Sequence, residues 1–202
     1  LNLVSTTYSG KTRQTITTCI PFTDDGGQEE QLLNLYPQVT YQAIDGFGGA
    51  ITESAAYIYS LMPPAQQQRL LEVYFGREHM KYCYVRIPID SCDFSLGHYE
   101  ADGDEHDAEL QNFSFARMEQ YILPMLTDAE RVYGGKLEIM LSPWSPPAYM
   151  KTNGERDHGG KLKRCYWKRW AEYLCRYIDE FRRRGFRVTM LTLQNEPKAV
   201  QT

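Results

Sequence analysis

From Tyr41 onward the chain repeats one pattern four times: a short apolar run of strand length, then a longer stretch with apolar residues at helical spacing. No other feature constrains the fold as much. Strands joined by helices lie parallel, because each helix carries the chain back to the end of the sheet from which the next strand starts. The first run covers residues 44–50. A helical stretch follows it, then a second helix that opens at Pro63-Pro64, buries Leu70, Leu71, Tyr74 and Phe75, and ends at Gly76. The second run covers residues 82–89. After a long polar loop, Ser114 is placed to cap a helix with Phe115, Met118, Ile122, Met125, Leu126, Ala129 and Val132 as its core stripe, Pro124 as a kink and Gly134-Gly135 as its end.

The third run, residues 137–141, meets Pro143, Pro146 and Pro147, which predicts a turn in place of continued pairing. A helix then carries Trp167, Trp170, Ala171, Leu174, Cys175, Ile178 and Phe181 toward the core, with Gly185 at its C-cap. The fourth run, residues 188–193, ends in Gln194-Asn195-Glu196-Pro197. Residues 1–40 differ in kind. They are rich in Ser and Thr, with a β-branched run from Thr15 to Ile20 and a polar break at Thr23-Asp24-Asp25-Gly26-Gly27, and read as short strands and a turn. The organisation expected is an N-terminal β segment over 1–40 and βα units over 41–202. Four units form half of a closed eight-unit barrel, which typically takes about 250 residues. An open four-stranded parallel sheet is the alternative, but helices on one side only would leave its other face bare.

Bulk properties exclude several classes of function. A formal charge of −4 and a pI near 5.6 do not suit a polyanionic partner, so no nucleic acid is expected. Arg182-Arg183-Arg184 reads as a solvated face at a helix C-terminus. No apolar run approaches bilayer length. Cys19, Cys83, Cys92, Cys165 and Cys175 match neither zinc nor redox spacing and read as reduced packing residues; His79, His98, His106 and His158 show no ligand spacing, so no metal is expected. Residues 46–51 depart from a dinucleotide-binding turn at Ile51, and no cofactor is expected. Asn112-Phe113-Ser114 is a formal glycosylation triplet, and the chain starts at Leu1, which leaves both a cytoplasmic and a secreted location open.

In a βα barrel the chemistry sits on the loops after the strands. The polar residues at those places are Glu53, then Asp90 and Asp93, then Trp144, then Asn195 and Glu196. Pro197 stops the fourth strand and holds the Glu196 carboxyl beside an amide donor, an arrangement that suits a general acid and equally suits a solvated acid at a helix start.

Four blocks in order carry a resemblance: residues 44–55 (Ile-Asp-Gly-Phe-Gly-Gly-Ala-Ile-Thr-Glu-Ser-Ala), 86–95 (Arg-Ile-Pro-Ile-Asp-Ser-Cys-Asp-Phe-Ser), 142–153 (Ser-Pro-Trp-Ser-Pro-Pro-Ala-Tyr-Met-Lys-Thr-Asn) and 194–197 (Gln-Asn-Glu-Pro). Their sequence and spacing resemble glycoside hydrolase family 30, in its glucosylceramidase-like branch, over nearly the whole of residues 40–200. The resemblance implies a (β/α)8 TIM barrel with about its first four βα units here, preceded by strands of a β side domain. It implies retaining cleavage of a β-glucosidic bond in a carbohydrate or glycolipid, of the glucosylceramidase or the β-1,6-glucanase kind, with Glu196 as acid/base, Asn195 on the sugar 2-hydroxyl, Asp93 and Trp144 holding the terminal sugar, and Arg86 orienting the catalytic carboxylates. The family's nucleophile, a Glu after barrel strand seven, has no counterpart in these residues, so the chain alone is expected to be nearly inactive, with the rest either a C-terminal half-barrel as a partner chain or a lost C-terminal part. A catalytically incomplete carbohydrate-binding fragment is the competing reading.

Overall fold

A computed structural model describes residues 2–21, 23–24 and 34–199. The chain divides into two units, Leu1–Ala43 and Ile44–Thr202. In the first, β1 (Asn2–Ser9) and β2 (Thr12–Cys19) pair antiparallel from Asn2↔Cys19 to Ser9↔Thr12 through the two-residue turn Gly10-Lys11. The expected polar break follows this hairpin, and its Asp25-Gly26-Gly27 portion lies outside the described residues.

The second unit carries the parallel sheet β3-β4-β5-β6, built from Gly48–Ala50, Tyr84–Ile89, Glu138–Pro143 and Val188–Leu191. Its helices are α1 (Glu53–Leu61), α2 (Pro64–Phe75), α3 (Leu123–Tyr133) and α4 (Trp167–Arg183). Thr52 caps α1 by accepting from the Ala55 amide at 3.3 Å, and Pro64 opens α2, where its missing N–H costs nothing. A π-helical turn, Met118–Ile122, runs directly into α3. Pro124 has no N–H to offer the preceding turn, and the wider i→i+5 turn is how the helix continues past it. Gly185, at φ +80°, closes α4 with its amide on the Arg182 carbonyl at 2.9 Å.

Strand alternation separates two faces. Val85, Ile87, Ile89, Ile139 and Leu141 are at most 2% exposed and pack with Leu71, Leu126, Tyr177 and Phe181 in one core under the helices. Arg86, Met140 and Met190 line a cavity of about 660 Å³ on the opposite face, the lumen side of the sheet. β3 fits against β4 only because residue 48 is glycine: a Cβ there would stand 2.0 Å from the Tyr84 carbonyl oxygen. A register shift between Ile139 and Met140 takes the pairing from Ile139↔Val188 to Met140↔Met190. This bulge turns Met190 to the lumen side, and Thr192 reaches the Ser142 hydroxyl at 2.6 Å.

Three expectations are corrected. β5 continues through Ser142 and Pro143, since Pro143 needs only its carbonyl, which accepts from the Asn195 amide at 2.8 Å. On α4 the buried face is Trp170, Tyr173, Leu174, Tyr177 and Phe181, while Trp167, Ala171 and Cys175 are exposed. Two tyrosines take the place of smaller apolar residues because their hydroxyls find a buried partner, as shown below. The cysteines are free thiols, but Cys19, Cys165 and Cys175 are exposed and do not act as packing residues.

Candidate active site

Parallel pairing brings the C-terminal ends of β4, β5 and β6 to one side, and the loops that leave them build a cleft. Arg86 projects from β4 and donates through Nη2 to Ser142 Oγ and to Asn195 Oδ1, both at 2.7 Å. Its guanidinium also lies 4.6 Å from the Trp144 ring centre. Trp144 Nε1 donates to Asp93 Oδ2 at 3.2 Å, and the Trp144 carbonyl accepts from Gln194 Nε2 at 2.6 Å. Arg86, Asn195, Trp144 and Asp93 thus form one connected set drawn from β4 and the three loops after β4, β5 and β6. The orientation of the indole is set by its edge on Asp93 and its face on Arg86.

Two adjoining cavities flank Trp144. One, of about 250 Å³, is lined by Glu196, Asn195, Gln194 and Lys151; the other, of about 190 Å³, by Asp93, His98 and Asp157. Trp144, Ser145 and Arg156 border both. Glu196 is exposed at the mouth and has φ +45°, a conformation a side chain larger than Asn or Asp rarely adopts. Such local strain gathers where a side chain must be aimed. Chemically, an accessible carboxyl beside an amide and an indole-walled cavity can exchange a proton with a polar ligand whose apolar face rests on the ring.

Glu53, expected among the strand-end acids of the cleft, is held elsewhere. It is 1% exposed at the start of α1, ion-paired to Arg117 at 2.7 Å and bonded to the Leu96 amide at 2.8 Å, so it anchors the base of the β4 loop.

Asp90 proves more central than its place in the sequence indicates. It is fully buried at φ +59°, accepts from the Tyr177 and Tyr173 hydroxyls at 2.6 and 2.8 Å and from the Ala101 amide at 2.9 Å, and pairs with Arg156 at 3.3 Å. Burial pushes its carboxyl above the ordinary range, while Arg156 and the two tyrosine hydroxyls pull it down. Arg156 escaped sequence reading entirely, since a lone arginine in a Gly- and Asp-rich loop gives no signal. The i,i+4 pair Tyr173 and Tyr177 did offer one.

The loop after β5 also brings together Glu155, Asp157 and His158, whose ligand atoms lie within 4.8 Å of one another, although the histidines show no ligand spacing in sequence. Hydrogen bonding to Glu155 and the charge of Asp157 raise the pKa of His158, so these groups serve each other as exposed ion pairs. Among the described residues, no helix is long and apolar enough to cross a membrane.

Residues 44–202 match the glycosyl hydrolase family 30 TIM-barrel domain. The chain is 32% identical over 173 residues to the lysosomal acid glucosylceramidase of Mus musculus, covering 83% of this chain and 34% of that protein. It is 29% identical over 167 residues to the endo-1,6-β-D-glucanase of Neurospora crassa, covering 80% and 35% respectively. The crystal structure of SrfJ from Salmonella typhimurium superimposes with a TM-score of 0.83 at 37% identity, covering 93% of this chain and 42% of that one. The chain thus spans about a third of the length of these curated relatives. The parallel sheet with its helices is part of a TIM barrel, and the chain belongs to glycosyl hydrolase family 30.

Proposed function

We propose that these residues form the acid/base half of a retaining β-glucosidase active site. The observation that carries the reading is the common cleft: Glu196 and Asn195 line one cavity with Trp144, and Asp93 and Arg86 both hold that indole. Glucosyl units are the common element in the names of the murine and Neurospora relatives, which favours a β-glucosyl group in a glycolipid or glucan as substrate.

In this reading the sugar rests on Trp144, with hydroxyls donated to Asp93 and the 2-hydroxyl bonded to Asn195, which Arg86 holds in place. Glu196 gives its proton to the glycosidic oxygen as a second carboxylate attacks the anomeric carbon. The ionised Glu196 then takes a proton from the water that displaces that carboxylate. The two carboxyls of a retaining enzyme stand about 5 to 5.5 Å apart. By the family resemblance the second is a Glu after strand seven, supplied by four further βα units as a C-terminal half-barrel.

The test is turnover of 4-nitrophenyl β-D-glucoside. The eight-unit protein should lose at least about 100-fold in kcat on Glu196→Gln, and the 202 residues alone should show little or no turnover. Robust activity of the isolated chain, abolished by Glu196→Gln, would put the attacking carboxylate within these residues. A second reading, a carbohydrate-binding fragment without catalysis, draws support from Asp93, Trp144 and Asn195 all belonging to this chain. It predicts that no eight-unit form hydrolyses the glucoside, while ligand binding responds to Trp144→Ala and not to Glu196→Gln.

A further inference from the structure

We propose that Arg156 is a positioning residue for sugar binding: it clamps the loop after β5 to the loop after β4 and so sets the spacing of Trp144 and Asp93. The proposal rests on the glucosidase reading of the two cavities. Among the described residues, all three of the guanidinium's hydrogen-bond partners lie on the β4 loop: Asp90 Oδ2 at 3.3 Å, Glu100 Oε2 at 3.4 Å and the Ser91 carbonyl at 3.2 Å. Its backbone stays on the β5 loop, where the Arg156 carbonyl accepts from Lys151 Nζ at 2.9 Å. Glu100 adds a second fastening, accepting from the Ala148 amide at 3.1 Å.

The clamp stands where the site needs it. Asp93 follows Ser91 by two residues, Trp144 precedes Ala148 by four, and the contact between their side chains spans the same two loops. Neither segment is regular secondary structure over most of its length, so such contacts fix their relative position. A planar fork that reaches three acceptors holds two loops in one geometry better than a point charge would. With its side chain 8% exposed, Arg156 borders both cavities beside Trp144 and forms part of the wall between them.

A plainer role would be to neutralise the buried Asp90, since a carboxylate left alone there is costly. The two roles separate in the double variant Asp90→Asn/Arg156→Met. The amide can still serve Tyr173, Tyr177 and Ala101 without needing a cation, whereas the links to Ser91 and Glu100 remain cut.

The chain and its Arg156→Met, Asp90→Asn and double variants are titrated with 1-deoxynojirimycin, a glucose-shaped cationic ring, by tryptophan emission. Urea midpoints and amide hydrogen exchange over residues 91–100 and 152–158 are measured alongside. Arg156→Met is expected to weaken binding about tenfold or more and to lower the urea midpoint. The double variant should regain the midpoint yet keep the weakened binding and the accelerated exchange in both loops. Recovery of binding and exchange together with the midpoint would reduce Arg156 to a neutralising charge and overturn the proposal, as would wild-type binding by Arg156→Met. If the wild type itself does not bind the ring, the glucosidase reading falls, and exchange alone decides the clamp: acceleration in the double variant upholds it, and unchanged exchange overturns it.

Discussion

Replacing Arg86 by Met would keep the packing of the stem and remove the guanidinium. Two hydrogen bonds at 2.7 Å and a stack at 4.6 Å on Trp144 disappear together. Hydrogen bonds from a charged donor contribute about 1.5 to 3 kcal/mol each, and an accessible cation–π contact about 0.5 to 1 kcal/mol. The sum overstates the loss. Ser142 Oγ keeps its 2.6 Å partner Thr192, and Asn195 is only partly buried, so water can take up its freed oxygen. About 2 kcal/mol of destabilisation remains. Urea unfolding followed by tryptophan emission reads this as a fall in the midpoint of about 1 M, taking a slope of roughly 2 kcal/mol/M. Arg86→Lys, which retains a charge but not the fork, should lose about half as much. A Met variant with its midpoint within about 0.3 M of wild type and an unchanged slope would refute the assignment of Arg86 as the tie between β4, β5 and the segment after β6.

Gly48→Ala would set a methyl 2.0 Å from the Tyr84 carbonyl oxygen, and because that obstacle is backbone, β3 should leave the sheet; circular dichroism melting should show a loss of about 3 kcal/mol or more, or no folded product. Phe181→Ala empties a fully buried site in contact with Phe115 and Phe186 and should cost about 3 to 5 kcal/mol by urea unfolding. Glu155 and Asp157 favour the charged form of His158, so its proton NMR titration should have a midpoint above 6.5 and move down in Glu155→Gln. Because the folded value is raised, the stability this group lends is fully present below pH 6.5 and is lost as pH rises through the folded midpoint. A midpoint at or below 6.5 would remove these ion pairs from the loop.

Much of the barrel can be read in the linear order of residues, because strand and helix periodicities depend on neighbours a few positions away. The β4 segment shows this: Val85, Ile87 and Ile89 alternate with Arg86, and the structure buries the first three and turns the arginine to the other face. The strand-end positions of Asp93, Trp144, Asn195 and Glu196 could be located for the same reason, since each follows an apolar run within about four residues. Local rules failed where a distant partner changed the outcome. Pro143 stays paired because the segment after β6 asks only for its carbonyl, and Tyr173 and Tyr177 turn inward because Asp90, more than 80 residues away in the chain, accepts from their hydroxyls.

Periodicity and punctuation determined the order of elements, the parallel sheet and the rim on which the polar residues gather. Packing across the loops decided which of those residues meet, why Glu53 is withdrawn from the cleft, and why the buried Asp90 holds Arg156 beside it. A hydrogen bond or ion pair between residues 66 apart, such as Asp90 and Arg156, depends on three-dimensional closure and leaves no periodic trace in the chain.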